Sequence, residues 1–142
     1  MGRLTGKTAI ITGAARGIGA IMANKMAQEG ANLVVTDVLD IENTVSKIKA
    51  DGGNAIGLNV NVTSDDDLLS MVENTEKEFG SLNILINNAS IFAALQPKPF
   101  LQIDNDEFDK VMTVNVRGVH QATKAAVPAM IRAGGGKIVN IA

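Results

Sequence analysis

The sequence predicts an α/β fold in which helices cover both faces of a doubly wound parallel sheet. Three observations carry that expectation. Short β-branched runs alternate with segments of helical periodicity along the whole chain. Most of these runs have nearly continuous apolar centres, as strands buried on both faces require. No repeat, low-complexity stretch or interdomain linker breaks the alternation, so residues 1–142 read as a single domain.

Strands are expected at Thr8–Thr12, Asn32–Thr36, Ala55–Val60, Leu82–Ile86 and Lys137–Ile141. All but the third have apolar centres. A first helix spans Gly17–Glu29, where Ile18, Ile21, Met22 and Met26 fall on one face and Gly30 supplies the stop. Ile41, Val45 and Ile48 mark a second helix, ended by Gly52-Gly53. Leu68, Val72, Thr75 and Phe79 mark a third. Its start, Thr63-Ser64-Asp65-Asp66-Asp67, reads as a cap that complements the positive helix end rather than as a metal cluster. A fourth helix runs from about Asp104 to Ala133, with Phe108, Val111, Met112, Val119, Ala122, Ala126 and Met130 as its stripe. Pro128 is expected to kink or loosen its last turns. Gly134-Gly135-Gly136 turns the chain into the last strand. One long irregular stretch, Asn87–Ile103, follows the carboxyl end of the fourth strand, where open α/β sheets bind ligands.

Composition excludes several function classes. The 142 residues carry 13 Lys+Arg and 15 Asp+Glu, a formal net charge of −2, so no basic nucleic-acid footprint is present. Apolar residues make up 46% and charged residues 20%, a globular balance. The absence of cysteine removes disulfides, thiolate metal sites and a cysteine nucleophile. No apolar run approaches the roughly 20 residues of a membrane span. The amino terminus shows neither a signal-peptide core nor a myristoylation pattern. A cytoplasmic protein with no membrane partner is the expectation, and the two glycosylation-type triplets, at Asn61 and Asn88, read as chance.

The loop Thr12-Gly13-Ala14-Ala15-Arg16-Gly17-Ile18-Gly19 joins the first strand to the first helix. Gly13 permits a tight turn, Gly17 lets the backbone approach a pyrophosphate, and Gly19 lets helix and strand pack closely. Free N–H groups at the helix start face the anion. No Lys-Ser/Thr follows the last glycine, so this is not a Walker A loop. Asp37 ends the second strand 18 residues after Gly19, near the spacing at which a carboxylate accepts hydrogen bonds from the adenosine ribose. It would repel a 2′-phosphate and favours NAD over NADP. Arg16 pulls the other way, and Asp37 is given the greater weight.

Thr12-Gly13-x3-Gly17-x-Gly19 resembles the cofactor loop of the short-chain dehydrogenase/reductase family. Asn87-Asn88-Ala89-Ser90 resembles that family's Asn-Asn-Ala-Gly motif, with Ser90 in place of glycine. Asn115 falls where the family carries a catalytic Asn. Lys137-Ile138-Val139-Asn140-Ile141-Ala142 looks like the strand that leads to the catalytic Ser. The resemblance implies a Rossmann-type sheet in the order 3-2-1-4-5 and hydride transfer between a nicotinamide cofactor and an alcohol/carbonyl pair. The implied cofactor positions are Gly13, Arg16, Gly17, Ile18, Gly19, Asp37, Asn61, Val62, Asn88, Ala89 and Ser90. Asn61 stands where an Asp is usual beside adenine. Asn115, three residues after Met112 and four before Val119, is expected on the core stripe of its helix, where the family reading makes it hold a water of a proton relay. His120 reads as a surface or packing residue.

The resemblance also implies a Ser after Ala142 and a Tyr and Lys further on, none of which the chain contains. Further strands and helices are implied beyond the fifth strand, so the sheet is expected to stop short, with an apolar face open to association. By itself the chain is therefore expected to lack turnover, and to act instead as a dinucleotide-binding fragment or docking subunit. Homo-oligomers form partly through the fourth helix in the implied family. Residues Ala93–Phe100 contribute only a rim to any substrate pocket. Phe92, Leu95 and Phe100 suit a hydrophobic substrate and core packing equally.

Overall fold

The computed structural model describes residues 2–92 and 94–142; Met1 and Ala93, the latter part of the expected rim, lie outside the described residues. Five strands form one parallel sheet in the order β3-β2-β1-β4-β5. They are β1 (Thr8–Thr12), β2 (Asn32–Asp37), β3 (Asn54–Asn59), β4 (Ile84–Asn87) and β5 (Lys137–Asn140). The order agrees with the expectation. β3 starts and ends one residue early, because Asn54 pairs with Asn32 and Val60 turns away to bond the Asp37 carbonyl.

Alternation along each strand sends side chains to two cores. Ile10, Val34 and Leu85 point to one face, where they pack with Leu68, Met71 and Val72 of α3 (Asp65–Phe79) and with Ala122, Ala126 and Met130. Ile11, Leu33, Val35 and Ile86 point to the other, under α1 (Gly17–Gln28) and α2 (Glu42–Ala50). Ser64 caps α3 by accepting the Asp67 N–H, and Asp67 in turn accepts the Asn61 N–H at 2.8 Å. The acidic triplet is thus a helix start, and no metal-holding group of acidic or histidine side chains occurs among the described residues. Nor is any described helix long and apolar enough to cross a membrane.

Two expectations are corrected. Ile18 and Ile21 do not face the core: they are 64% and 63% exposed, while Gly19 and Ala23 are buried. The helix approaches the sheet closely at Gly19 and Ala23, while Met22 and Met26 of the expected face do pack against the core. The fourth helix is not one regular helix. It comprises α4 (Asn105–Met112), a π turn (Thr113–Arg117) and α5 (Gly118–Arg132), preceded by a 3₁₀ turn at Phe100–Gln102. The wider turn resets the phase of the stripe, so Phe108 and Met112 stand exposed while Ala122, Ala126 and Met130 are buried. Pro128 lies inside α5 without ending it. The open apolar face expected of the last strand is present: all four residues of β5, an edge strand held on β4 alone, are exposed.

Candidate functional site

The strand order reverses between β1 and β4, so the loops leaving these two strands diverge and open a crevice at their carboxyl ends. Thr12, the last residue of β1, binds the two loops together. Its Oγ1 accepts the N–H groups of Asn88 and Ala89, each at 3.0 Å, and donates to the Ile86 carbonyl at 3.4 Å. Asn88 answers by donating from Nδ2 to the carbonyls of Thr12 and Gly13, at 3.0 and 2.9 Å. Asn88 and Ala89 are therefore part of the loop's support as well as of the crevice wall. Ser90 stands exposed beside them.

The three glycines differ in what they allow. Gly13 adopts φ +65°, and a Cβ there would lie 2.6 Å from the Ala89 Cα. A Cβ on Gly19 would fall on the Gly13 carbonyl oxygen and 2.7 Å from the Asn88 Nδ2. Both positions require glycine so that β1, α1 and the β4 loop can touch. Gly17, at φ +59°, has nothing within 4 Å of the corresponding position. That side of the loop is open space, beside the start of α1. No side chain caps α1, whose N-cap is Arg16, so the first-turn N–H groups remain available to an anion. Ile18 is exposed at this same end.

Asp37 sits at the end of β2, half-buried. One carboxylate oxygen accepts the Ala15 N–H at 3.0 Å and the other the Leu39 N–H at 3.1 Å. A carboxylate has about four acceptor positions, so about two remain for ribose hydroxyls. Thr44, on α2, donates from Oγ1 to the Ala15 carbonyl at 3.0 Å. Arg16 is exposed and, with Lys25 and Lys47, lines an open groove of about 510 Å³ between α1 and α2. A diphosphate linked to a ribose fits this set: free donors, a bare glycine and a carboxylate with spare acceptor capacity.

Asn61 is exposed at the end of the β3 loop. Its Oδ1 is engaged by Thr63, through N–H at 3.0 Å and Oγ1 at 2.8 Å, which leaves its Nδ2 as the free group. Val62 is only 8% exposed, and a Cβ on Gly118 would come within 2.8 Å of its Cγ2. It belongs mainly to the core and gives the crevice little surface.

Asn115 lies in the middle of the π turn. It is half-buried and turns to the β4 loop rather than to the core stripe. Its Oδ1 accepts the Ile91 N–H at 2.7 Å, and its Nδ2 donates to the Ile91 carbonyl at 3.1 Å. The extra residue of the π turn rotates it out of the 3.6-residue register. A second tether holds the same loop further on, where Lys98 meets Glu107 at 2.8 Å. The hydrogen bond that Lys98 donates to Glu107 raises its pKa above the ordinary lysine value. Phe92 and Phe100 are 81% and 84% exposed, so core packing does not account for them. His120 is exposed on α5, outside this set.

Three supporting residues were not singled out from the sequence: Thr44, Thr12 as a latch, and Asn87. Asn87, 3% exposed, donates from Nδ2 to Asn140 Oδ1 at 2.9 Å and to Thr123 Oγ1 at 3.2 Å. It ties β4 to β5 and α5. Only its place in the Asn-Asn pair could have flagged it.

The family model described as short chain dehydrogenase matches residues 7–142. Galactitol 2-dehydrogenase of Agrobacterium fabrum is 38% identical over 141 residues, which are 99% of this chain and 54% of that protein. The 3-oxoacyl-(acyl-carrier-protein) reductase FabG of Staphylococcus aureus is 34% identical over 138 residues, 95% of this chain and 55% of the relative. A solved structure described as a short-chain dehydrogenase/reductase from Burkholderia xenovorans superposes with a TM-score of 0.92 at 30% identity. That superposition covers all of this chain and 58% of the solved one. The chain thus spans about half the length of the curated relatives it matches.

Proposed function

The chain belongs to the short-chain dehydrogenase family, and on that premise we propose that it binds NAD(H) in the service of hydride transfer between that cofactor and an alcohol or its carbonyl partner. The glycine loop carries the proposal: two glycines pack the loop against its neighbours, and the third, Gly17, leaves open space before a row of free N–H groups. When bound, the nicotinamide supplies or takes up the hydride. The chain's own part is to bind and orient. Gly13, Gly17, Ile18 and Gly19 present backbone donors and room to the diphosphate. Asp37 accepts from the ribose with its two spare acceptor positions, and Asn61 offers its Nδ2, with Val62 behind it, on the adenine side. Asn88, Ala89 and Ser90 face the nicotinamide half. Asn115 holds the β4 loop in place and, in this reading, supports a water of the proton relay.

NAD is favoured over NADP because a carboxylate at Asp37 would sit beside a 2′-phosphate. Arg16, in the adjoining groove, offsets part of that repulsion. Calorimetric titration with both dinucleotides tests the reading. NAD should bind more tightly; stronger NADP binding would assign the decisive role to Arg16, and binding of neither would remove the proposal.

The 142 residues hold no tyrosine, so the proton-exchanging phenol of the family reading is not among them. General acid–base assistance is worth about 100- to 10,000-fold in rate. We therefore propose that these residues alone bind dinucleotide without turning over simple ketones or secondary alcohols. Steady turnover by the 142-residue chain would refute this. A second copy is proposed to pack on Phe108, Met112 and Val116, which are 56%, 41% and 54% exposed along α4 and the π turn. A cytoplasmic setting is proposed on the same footing as in the sequence reading.

A further inference from the structure

We propose that Thr44 is a positioning residue for the cofactor loop, locking one peptide of that loop so that the Arg16 N–H is turned toward the diphosphate position. The inference rests on the cofactor reading above and adds to it a residue from a different element, α2.

Thr44 is 3% exposed. Thr44 is the third residue of α2, so it has no preceding turn of its own helix to bond. Thr44 instead reaches across to the Ala15 carbonyl, 29 residues earlier in the chain, at 3.0 Å. Asp37 holds the N–H of the same residue at 3.0 Å. Ala15 is therefore gripped at both polar groups, from β2 on one side and α2 on the other. The chain has no cis peptide among its described residues. In a trans peptide the C=O and the following N–H point in opposite directions. With the Ala15 carbonyl turned to α2, the Arg16 N–H must turn away from α2. Among the described residues no protein acceptor takes that N–H.

The alternative arrangement shows what the lock prevents. The Ala15–Arg16 peptide turns about two single bonds, the ψ bond of Ala15 and the φ bond of Arg16, and if nothing holds the Ala15 carbonyl, rotation about them can carry it away from α2. Rotation would exchange the two groups, and the crevice would present a carbonyl oxygen to an anion in place of a donor. The Thr44 hydroxyl opposes this rotation by keeping its acceptor on the α2 side.

The test is affinity for two probes, ADP and adenosine, measured by NMR titration on the wild-type chain and on Thr44→Val and Thr44→Ser. Valine keeps the shape and removes the donor; serine restores the hydroxyl. One neutral hydrogen bond corresponds to roughly a two- to tenfold change in affinity. ADP should bind the valine variant weaker by about that factor, adenosine should bind all three alike, and serine should recover ADP binding. The Arg16 amide resonance should shift with ADP in the wild type and less in the valine variant. Unchanged ADP affinity in Thr44→Val would overturn the inference while leaving the cofactor reading intact. Equal losses for ADP and adenosine would also overturn it, because they would mark a general packing defect. A wild-type chain that binds neither probe would overturn the cofactor reading, and the inference with it.

Discussion

Replacing Gly17 with alanine should separate binding from stability, and replacing Gly13 should not. Both residues have positive φ, +59° and +65°. A side chain in that region costs about 1–2 kcal/mol. At Gly17 this is the whole expected folding penalty, because the added methyl meets nothing within 4 Å. For a chain of this size that is a fall in Tm of roughly 3–7 °C. The methyl would occupy the space through which an anion approaches the N–H groups of α1. Loss of one hydrogen bond to a charged group is worth about 1.5–3 kcal/mol, so NAD should bind about ten- to a hundredfold more weakly. At Gly13 the same strain adds to a contact of 2.6 Å with the Ala89 Cα. Two backbones cannot yield without parting, and parting them breaks the bonds between Thr12 and Asn88. Its folding penalty should exceed that of Gly17→Ala by about 2 kcal/mol or more. Urea melts and calorimetric NAD titrations of the two variants read both quantities. A Gly17→Ala chain that binds NAD as the wild type does, or a Gly13→Ala chain that melts like Gly17→Ala, would refute the division of labour argued here.

Asp37→Ala should weaken NAD binding and narrow the gap to NADP, read as the ratio of the two affinities. Because Asp37 also holds the Ala15 and Leu39 N–H groups, NADP should gain less than NAD loses, and a large absolute gain for NADP would contradict that second role. Asn115→Leu removes both bonds to Ile91 and should cost about 1–3 kcal/mol, with faster hydrogen exchange at the Ile91 amide as its local signature. Protection there equal to wild type would mean that the loop is held by other contacts. Glu76 forms a forked pair with Arg132, at 3.0 and 2.7 Å, and that hydrogen bond holds its carboxyl below the usual carboxylate value. A depressed folded-state value stabilises the fold above the unfolded value of about 4.3 and is lost as pH falls through the folded one. The Tm advantage of wild type over Glu76→Gln should therefore be present at pH 7 and shrink progressively below about pH 5. A difference independent of pH would show that the ion pair is not its source.

The sheet was legible because parallel strands announce themselves by apolar runs, and the strand order was what the family resemblance of the motifs implied. Faces were less legible than elements. On α1 the eye goes to Ile18 and Ile21, but the buried positions are Gly19 and Ala23. Close packing selects small side chains at those two positions, Met22 and Met26 pack beside them, and Ile18 and Ile21 are left outside. On the fourth helix a strict 3.6-residue period misplaces Phe108 and Met112, since the π turn inserts one residue that no propensity marks. The exposure of β5 was legible only through the family resemblance, which implies further elements beyond it; composition alone says nothing of what lies over a strand.

The same distinction runs through the candidate site. Gly13, Gly17 and Gly19 could be found because their role is in the backbone and their spacing is local. Thr12 and Thr44 could not, because what they do depends on residues 76 and 29 positions away. Asp37 shows how the two kinds of knowledge combine. Its position announced a ribose carboxylate, while the structure adds that it also clamps Ala15. If Asp37 served the ribose alone, its removal would leave the loop's shape untouched. Because it shares Ala15 with Thr44, a substitution there perturbs diphosphate and ribose recognition together. The parts of the loop are thus coupled through one peptide unit, and the Asp37 and Thr44 substitutions should show non-additive losses when combined.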